Sequence, residues 1–222
     1  MKKLSLVFFS LIFISGLAVS AQAITYGFDC ITNNNPTNAA IGEAQLFVDV
    51  TDPGGGSVDF KFYNTGPSDS SITDIYFDIT DPSNPSTLLI TGISIFAQSA
   101  GVSYGLGATP PNLPGGGGIT PAFDADYSAD SAAPVQPNGV NPGEYVTLRA
   151  ALAGGKTFND LLTALATGIS SPASSGALRL GIHVQGFEGG GSESFVHIPL
   201  PPGVLLLGSG LLGLGLVRRR RP

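Results

Sequence analysis

The strongest constraint in this chain is an alternation that returns in segment after segment. In 43–50, EAQLFVDV, Leu46, Val48 and Val50 fall on one side and Phe47 and Asp49 on the other. In 57–64, SVDFKFYN, Val58, Phe60 and Phe62 oppose Asp59, Lys61 and Tyr63. The pattern recurs in SITDIYFDIT at 71–80, EYVTLRAAL at 144–152, ALRLGIHVQGF at 177–187 and SFVHIP at 194–199. A period of two is the signature of a strand with one buried face. Breaks such as TDPGGG at 51–56 and DPSNPS at 81–86 supply the turn chemistry between strands. Roughly six to nine short strands of this kind predict an all-β fold, specifically a two-sheet antiparallel sandwich of jelly-roll-like type.

Two stretches depart from the rhythm. In 155–168, GKTFNDLLTALATG, Phe158, Leu161, Leu162 and Leu165 recur with helical spacing, predicting one short amphipathic helix over 157–166. The segment 101–143 is rich in Gly and Pro and reads as one long loop, with an irregular strand around 123–127. A loop of this length in a compact domain points to function or disorder.

Charge divides unevenly along the sequence. The chain of 222 residues carries 10 basic and 16 acidic side chains. Between 24 and 197 only Lys61, Arg149, Lys156 and Arg179 are basic, against all 16 acids, a formal net of −12. Such a surface repels phosphate, so nucleic acid is excluded as a partner. Cys30 is the sole cysteine, which rules out an intramolecular disulfide. Burial, pairing with a second molecule and metal ligation all remain open for it.

The residues of catalysis are scarce. His183 and His197 are the only histidines, each on an alternating segment, and no G-x-S-x-G elbow or H-E-x-x-H motif accompanies them. No catalytic residue is assigned, and the chain reads as a non-enzyme. One ion site is conceivable: FDADYSAD brings Asp124, Asp126 and Asp130 close in sequence, and Ca²⁺ favours such oxygen ligands. The EF-hand pattern fails there, because Ala129 and Val135 occupy the positions of its Gly and Glu. Tyr63, Tyr76 and Tyr145 are candidates for stacking against sugars if an open sheet face presents them.

The two ends carry address chemistry. Residues 1–23 have Lys2 and Lys3 before an apolar run at 4–19, then Ala21-Gln22-Ala23, the small-x-small pattern of a signal-peptide cleavage site. Residues 24–197 form the expected exported domain. At the far end, 200–217 is apolar or small except for Ser209, and Arg218, Arg219, Arg220 and Arg221 follow it. Eighteen helical residues rise about 27 Å, close to the roughly 30 Å hydrocarbon core, so a transmembrane helix is expected. The arginines would act as a stop-transfer signal on the cytoplasmic side.

The order of a Pro motif, a Gly/Leu-rich run and terminal arginines in 198–222 resembles the PEP-CTERM sorting signal. Ile198-Pro199-Leu200-Pro201-Pro202 is similar to its Val-Pro-Leu-Pro-Ala form, with Pro202 as a departure. The stretches 62–78 and 179–196 are similar to segments of secreted bacterial proteins that carry this tail. The resemblance implies an exosortase, an integral-membrane cysteine protease of Gram-negative bacteria, as processing partner. It also implies transient passage through the inner membrane, followed by delivery to the cell surface or extracellular matrix, where exopolysaccharide is made. Together these readings predict a non-enzymatic surface or matrix protein, with a carbohydrate-binding module as the alternative.

Overall fold

The computed structural model describes residues 23–199 except 82, 85 and 86. Ten strands are β1 (Ile24–Cys30), β2 (Leu46–Gly54), β3 (Ser57–Asn64), β4 (Ser71–Ile79), β5 (Ile90–Gln98), β6 (Tyr104–Leu106), β7 (Tyr127–Ser131), β8 (Tyr145–Leu152), β9 (Leu178–Gln185) and β10 (Glu193–Pro199). The helices are α1 (Pro36–Gln45), α2 (Val135–Asn138) and α3 (Phe158–Ser170). The all-β expectation holds at this level.

The arrangement differs from two stacked sheets. All ten strands belong to one antiparallel sheet in the order β5-β8-β3-β2-β1-β10-β9-β4-β7-β6. β1 is the seam, pairing with β2 on one side and β10 on the other, so what would be two sheets become one. The sheet curls until β3 faces β4, with the Phe77 ring edge-on to Phe60 at 5.1 Å and to Phe62 at 6.2 Å. The outermost strands nearly meet. The Tyr104 backbone N–H donates to Gln98 Oε1 (3.2 Å), and Tyr127 Oη donates to the Ile90 carbonyl (3.3 Å). The result is a nearly closed barrel. Twist accumulated over ten strands favours such curling over a flat, open sheet.

The apolar halves of the alternating segments fill the interior. Val48, Val50, Phe60, Phe62, Ile75, Phe77, Leu148, Leu180 and Ile182 are all completely buried. Each such side chain contributes roughly 1.5–3 kcal/mol by leaving water. α3 adds Leu161 and Leu165 to this core from the stripe read in the sequence. Its start is fixed by a capping box, in which Thr157 and Asp160 satisfy each other's backbone N–H groups. Among the described residues, the buried core runs from Tyr26 to Phe195, and the first and last strands pair with each other. The sheet of the described span is thus joined through its own first and last strands.

α1 was not expected, because PTNAAIGEAQ lacks an apolar stripe. Its signals are local: Pro36 opens the first turn, and Asn35 Oδ1 accepts from the Thr37 N–H at 2.9 Å. The long 101–143 segment is also more ordered than a loop. It supplies β6, α2 and β7, and the strand expected around 123–127 lies instead at 127–131, where Asp130 registers against Asp74. The expected transmembrane segment, Leu200, Pro201, Pro202 and the four arginines, together with Ala21, lie outside the described residues. Among the described residues, no helix is long and apolar enough to cross a membrane.

Candidate functional site

A barrel wall has an outer face, and here the polar halves of the alternating strands occupy it. On β2, β3 and β8 that face can be laid out by register. Phe47 opposes Tyr63, which opposes Tyr145; one step along, Asp49 opposes Lys61, which opposes Thr147. A further step brings Thr51, Asp59 and Arg149 together, and β5 adds Ser94. Adjacent strands lie about 4.8 Å apart, so the three rings of the first row span about 10 Å.

Local contacts hold this row in place. The Phe47 and Tyr63 rings are 5.7 Å apart and tilted by 34°. Tyr63 Oη donates to Asp49 Oδ1 (3.3 Å), which also accepts from Thr25 Oγ1 (2.6 Å). Burial, and then the Asp49 charge, push the Tyr63 phenol up to about 12, so it remains a neutral donor across the physiological range. Lys61 is exposed, with Nζ 4.6 Å from the Tyr145 ring centre and 5.7 Å from that of Tyr63. Such placement over ring faces is a cation–π arrangement.

Arg149 anchors the next part of the face. Its Nε and one terminal nitrogen donate to the two carboxylate oxygens of Asp59, at 2.6 and 2.7 Å. The guanidinium also lies 3.4 Å from the centre of the Phe96 ring, which is 53% exposed. Beside it, Ser57, Thr91, Ser94 and Arg149 help line a shallow cleft of about 340 Å³. The combined surface offers flat apolar rings edged by hydroxyls, carboxylates and cations. That mixture suits a ligand with both C–H faces and hydroxyl groups.

The three tyrosines proposed from sequence are therefore separated. Tyr63 and Tyr145 stand side by side, half-exposed, whereas Tyr76 is fully buried and donates its hydroxyl to the Pro110 carbonyl at 3.0 Å. The cause is a cap. Residues from the 101–143 segment pack Ala108, Leu113 and Phe123 over the outer face of β4 and β9. Gly181 makes the approach possible, since a Cβ there would lie 2.9 Å from Leu113 and 3.0 Å from Phe123. Beneath the cap, Arg179 pairs with Asp78 and donates to the carbonyls of Pro121 (2.8 Å) and Ala122 (2.6 Å). Burial raises the Asp78 carboxyl above its usual range; the Asp124 N–H and Arg179 oppose that shift.

The aspartates considered for Ca²⁺ also part company. Asp124 and Asp126 line a cleft of about 310 Å³ with Asp78, Asp81 and Arg179. Asp126 Oδ2 accepts from the Ile79 N–H at 2.7 Å. Asp130 lies on β7, directly across from Asp74, which in turn contacts His183 Nδ1 at 3.1 Å. Among the described residues, no three His, Cys, Asp or Glu side chains are placed to hold a metal ion.

His183 has partners that sequence reasoning did not foresee. The register aligns Ser194, His183, Asp74 and Asp130 across β10, β9, β4 and β7. The residue types of the first three are those of a hydrolytic triad, but Ser194 Oγ is fully buried and has no hydrogen-bond partner. A nucleophile must reach both its base and its substrate, and this hydroxyl reaches neither. His197 is interior: Nδ1 accepts from the Leu180 N–H (3.0 Å), and Nε2 lies 3.3 Å from the Leu165 carbonyl. Cys30 is half-buried, with Sγ 3.6 Å from Glu193 Oε2.

No known protein family, curated protein or solved structure matches this chain.

Proposed function

We propose that this chain is a non-enzymatic exported protein of the cell surface or extracellular matrix, whose barrel contacts polysaccharide through the Phe47–Tyr63–Tyr145 row. The observation that carries this reading is the row itself. Three aromatic side chains sit on adjacent strands in direct register, each partly exposed on the outer face of the barrel wall. Sugar rings present apolar C–H faces that stack on aromatic planes, while Asp49, Lys61 and Thr25 lie within reach of hydroxyls. Binding rather than turnover suits this chemistry, because Asp49 is engaged by two hydroxyls and Asp59 by Arg149.

Export supplies the context. In this proposal residues 1–23 direct secretion with cleavage after Ala23, and 198–222 act as a PEP-CTERM-like sorting signal. The segment spans the inner membrane transiently until an exosortase cuts near Pro199, Leu200, Pro201 and Pro202. Released protein then joins exopolysaccharide outside a Gram-negative cell. Ca²⁺ at Asp124 and Asp126 is an optional addition, tested by a thermal shift at millimolar concentration.

The test is affinity electrophoresis of residues 24–199 through gels containing a panel of exported bacterial polysaccharides. Retardation by at least one polymer, lost in the Tyr63→Ala/Tyr145→Ala double variant, is the expected result. Equal mobility in every gel would overturn the binding face. For sorting, mass spectrometry of the released protein should find no peptide beyond the Pro motif; peptides running through Leu211 would overturn that part.

A further inference from the structure

Lys61 is an anomaly in its surroundings. The body from 24 to 197 holds only four basic residues against 16 acids. Of these four, Arg179 is buried and bound to Asp78, Arg149 forms a two-point pair with Asp59, and Lys156 interacts with Asp160 at the start of α3. Lys61 is exposed, and no carboxylate among the described residues lies within ion-pair distance of its ammonium. Asp49, the acid opposite it in register, instead accepts from the hydroxyls of Thr25 and Tyr63. The ammonium sits over the two tyrosine rings, in the middle of the proposed sugar-binding row.

We infer that the ligand of this face is a sparsely acidic polysaccharide, in which an isolated uronate carboxylate meets Lys61 while neighbouring neutral sugars stack on Tyr63, Tyr145 and Phe47. This inference rests on the polysaccharide-binding reading above. Charge decides the density of the acid as well as its presence. An ammonium held above two rings attracts one carboxylate that comes into direct contact with it. A carboxylate on every sugar, however, would bring further negative charges within the Debye length of about 8 Å, against a body of net −12. A polymer with its acids farther apart than that length gains the contact and avoids most of the repulsion. The row length agrees: about 10 Å of aromatic surface accommodates an acidic residue and a neutral neighbour.

One backbone at three charge densities tests the inference. Homogalacturonan with every carboxyl free, with roughly one in three free, and fully methyl-esterified would each be titrated into residues 24–199 by calorimetry. The partly esterified chain should bind about three- to fivefold tighter than the fully esterified one, the scale of a single partly exposed charge pair. It should also bind tighter than the fully acidic chain, with that second gap narrowing as salt is added. Lys61→Gln should bind the partly and fully esterified chains with equal affinity. Equal wild-type affinity for the partly and fully esterified chains, an unchanged preference in Lys61→Gln, or no wild-type binding to any of the three would overturn the inference. Tyr63→Ala/Tyr145→Ala separates the two levels. If acid preference is absent but the double variant still loses binding, the aromatic face stands and only the acidic specificity falls. If the double variant binds like wild type, the face falls too.

Discussion

The outer face of β2, β3 and β8 and the outer face of β4 and β9 are built from the same residue types, yet have opposite fates. Each carries tyrosine, acid and cation on outward positions of alternating strands. On the first, Tyr63, Tyr145 and Lys61 remain in contact with solvent. On the second, Tyr76 and Arg179 are buried under Leu113 and Phe123, so that every residue of β4 is buried. A tyrosine in one setting is partly exposed on the barrel wall, and in the other a packing element with a satisfied hydroxyl. What separates them is one capping segment, and the glycine that admits it.

The largest way to stress this contrast is Arg179→Ala. Removing the guanidinium leaves Asp78 buried without its partner and the Pro121 and Ala122 carbonyls without a donor. Denaturant unfolding should show a loss of about 3–5 kcal/mol. Polysaccharide binding, measured at a temperature where the variant is folded, should be unchanged. Next comes Gly181→Ala, whose Cβ would press on Leu113 and Phe123. A cost of about 1–3 kcal/mol is expected, together with faster proteolysis within 107–126 and intact binding. Tyr63→Ala/Tyr145→Ala should do the reverse, lowering polysaccharide affinity by tenfold or more while stability changes by only about 1 kcal/mol per site. If this double variant unfolded as readily as Arg179→Ala, the two faces would not differ in the way described.

A separate test concerns His197, which lies on neither face. Burial, above all, lowers its pKa from the ordinary 6.5 to about 4. The unfolded chain therefore binds a proton that the folded one refuses between these values, and stability should fall as pH drops from about 6.5 toward 4. Subtracting the profile of His197→Asn from that of the wild type isolates this slope from the carboxylates. A flat difference across that window would show that the imidazole is not held neutral.

The sequence made some of this legible and hid the rest for physical reasons. Period-two patterning marks which side of a strand seeks the core, and Phe60, Phe62, Phe77 and Leu180 are buried as that pattern requires. The same pattern is silent on whether the opposite side meets water or another segment, so Tyr63, Tyr76 and Tyr145 looked alike. Only the fold of 107–126, specified by contacts far apart in sequence, distinguishes them. Closure into one sheet was hidden similarly, since β1 pairs with β10 across the whole domain. Proximity in sequence misled at Asp124, Asp126 and Asp130, because β7 begins between the second and third and carries Asp130 to Asp74. α1 was readable from Asn35 and Pro36, though not from hydrophobic spacing.

The β1–β10 pairing also has a mechanical side. Tyr26 registers against Pro199, so the chain enters and leaves the barrel through neighbouring strands at one rim. If the proposed sorting tail holds the protein while a polymer is seated at Tyr63, the shortest hydrogen-bonded route for a pull runs from β3 through β2 and β1 into β10. That route crosses three strand pairings side-on, along the direction of their hydrogen bonds, and bypasses α3, β4 and the cap. A load on the proposed binding face during that tethered stage would therefore bear first on the β1–β10 seam rather than on the Arg179–Asp78 pair.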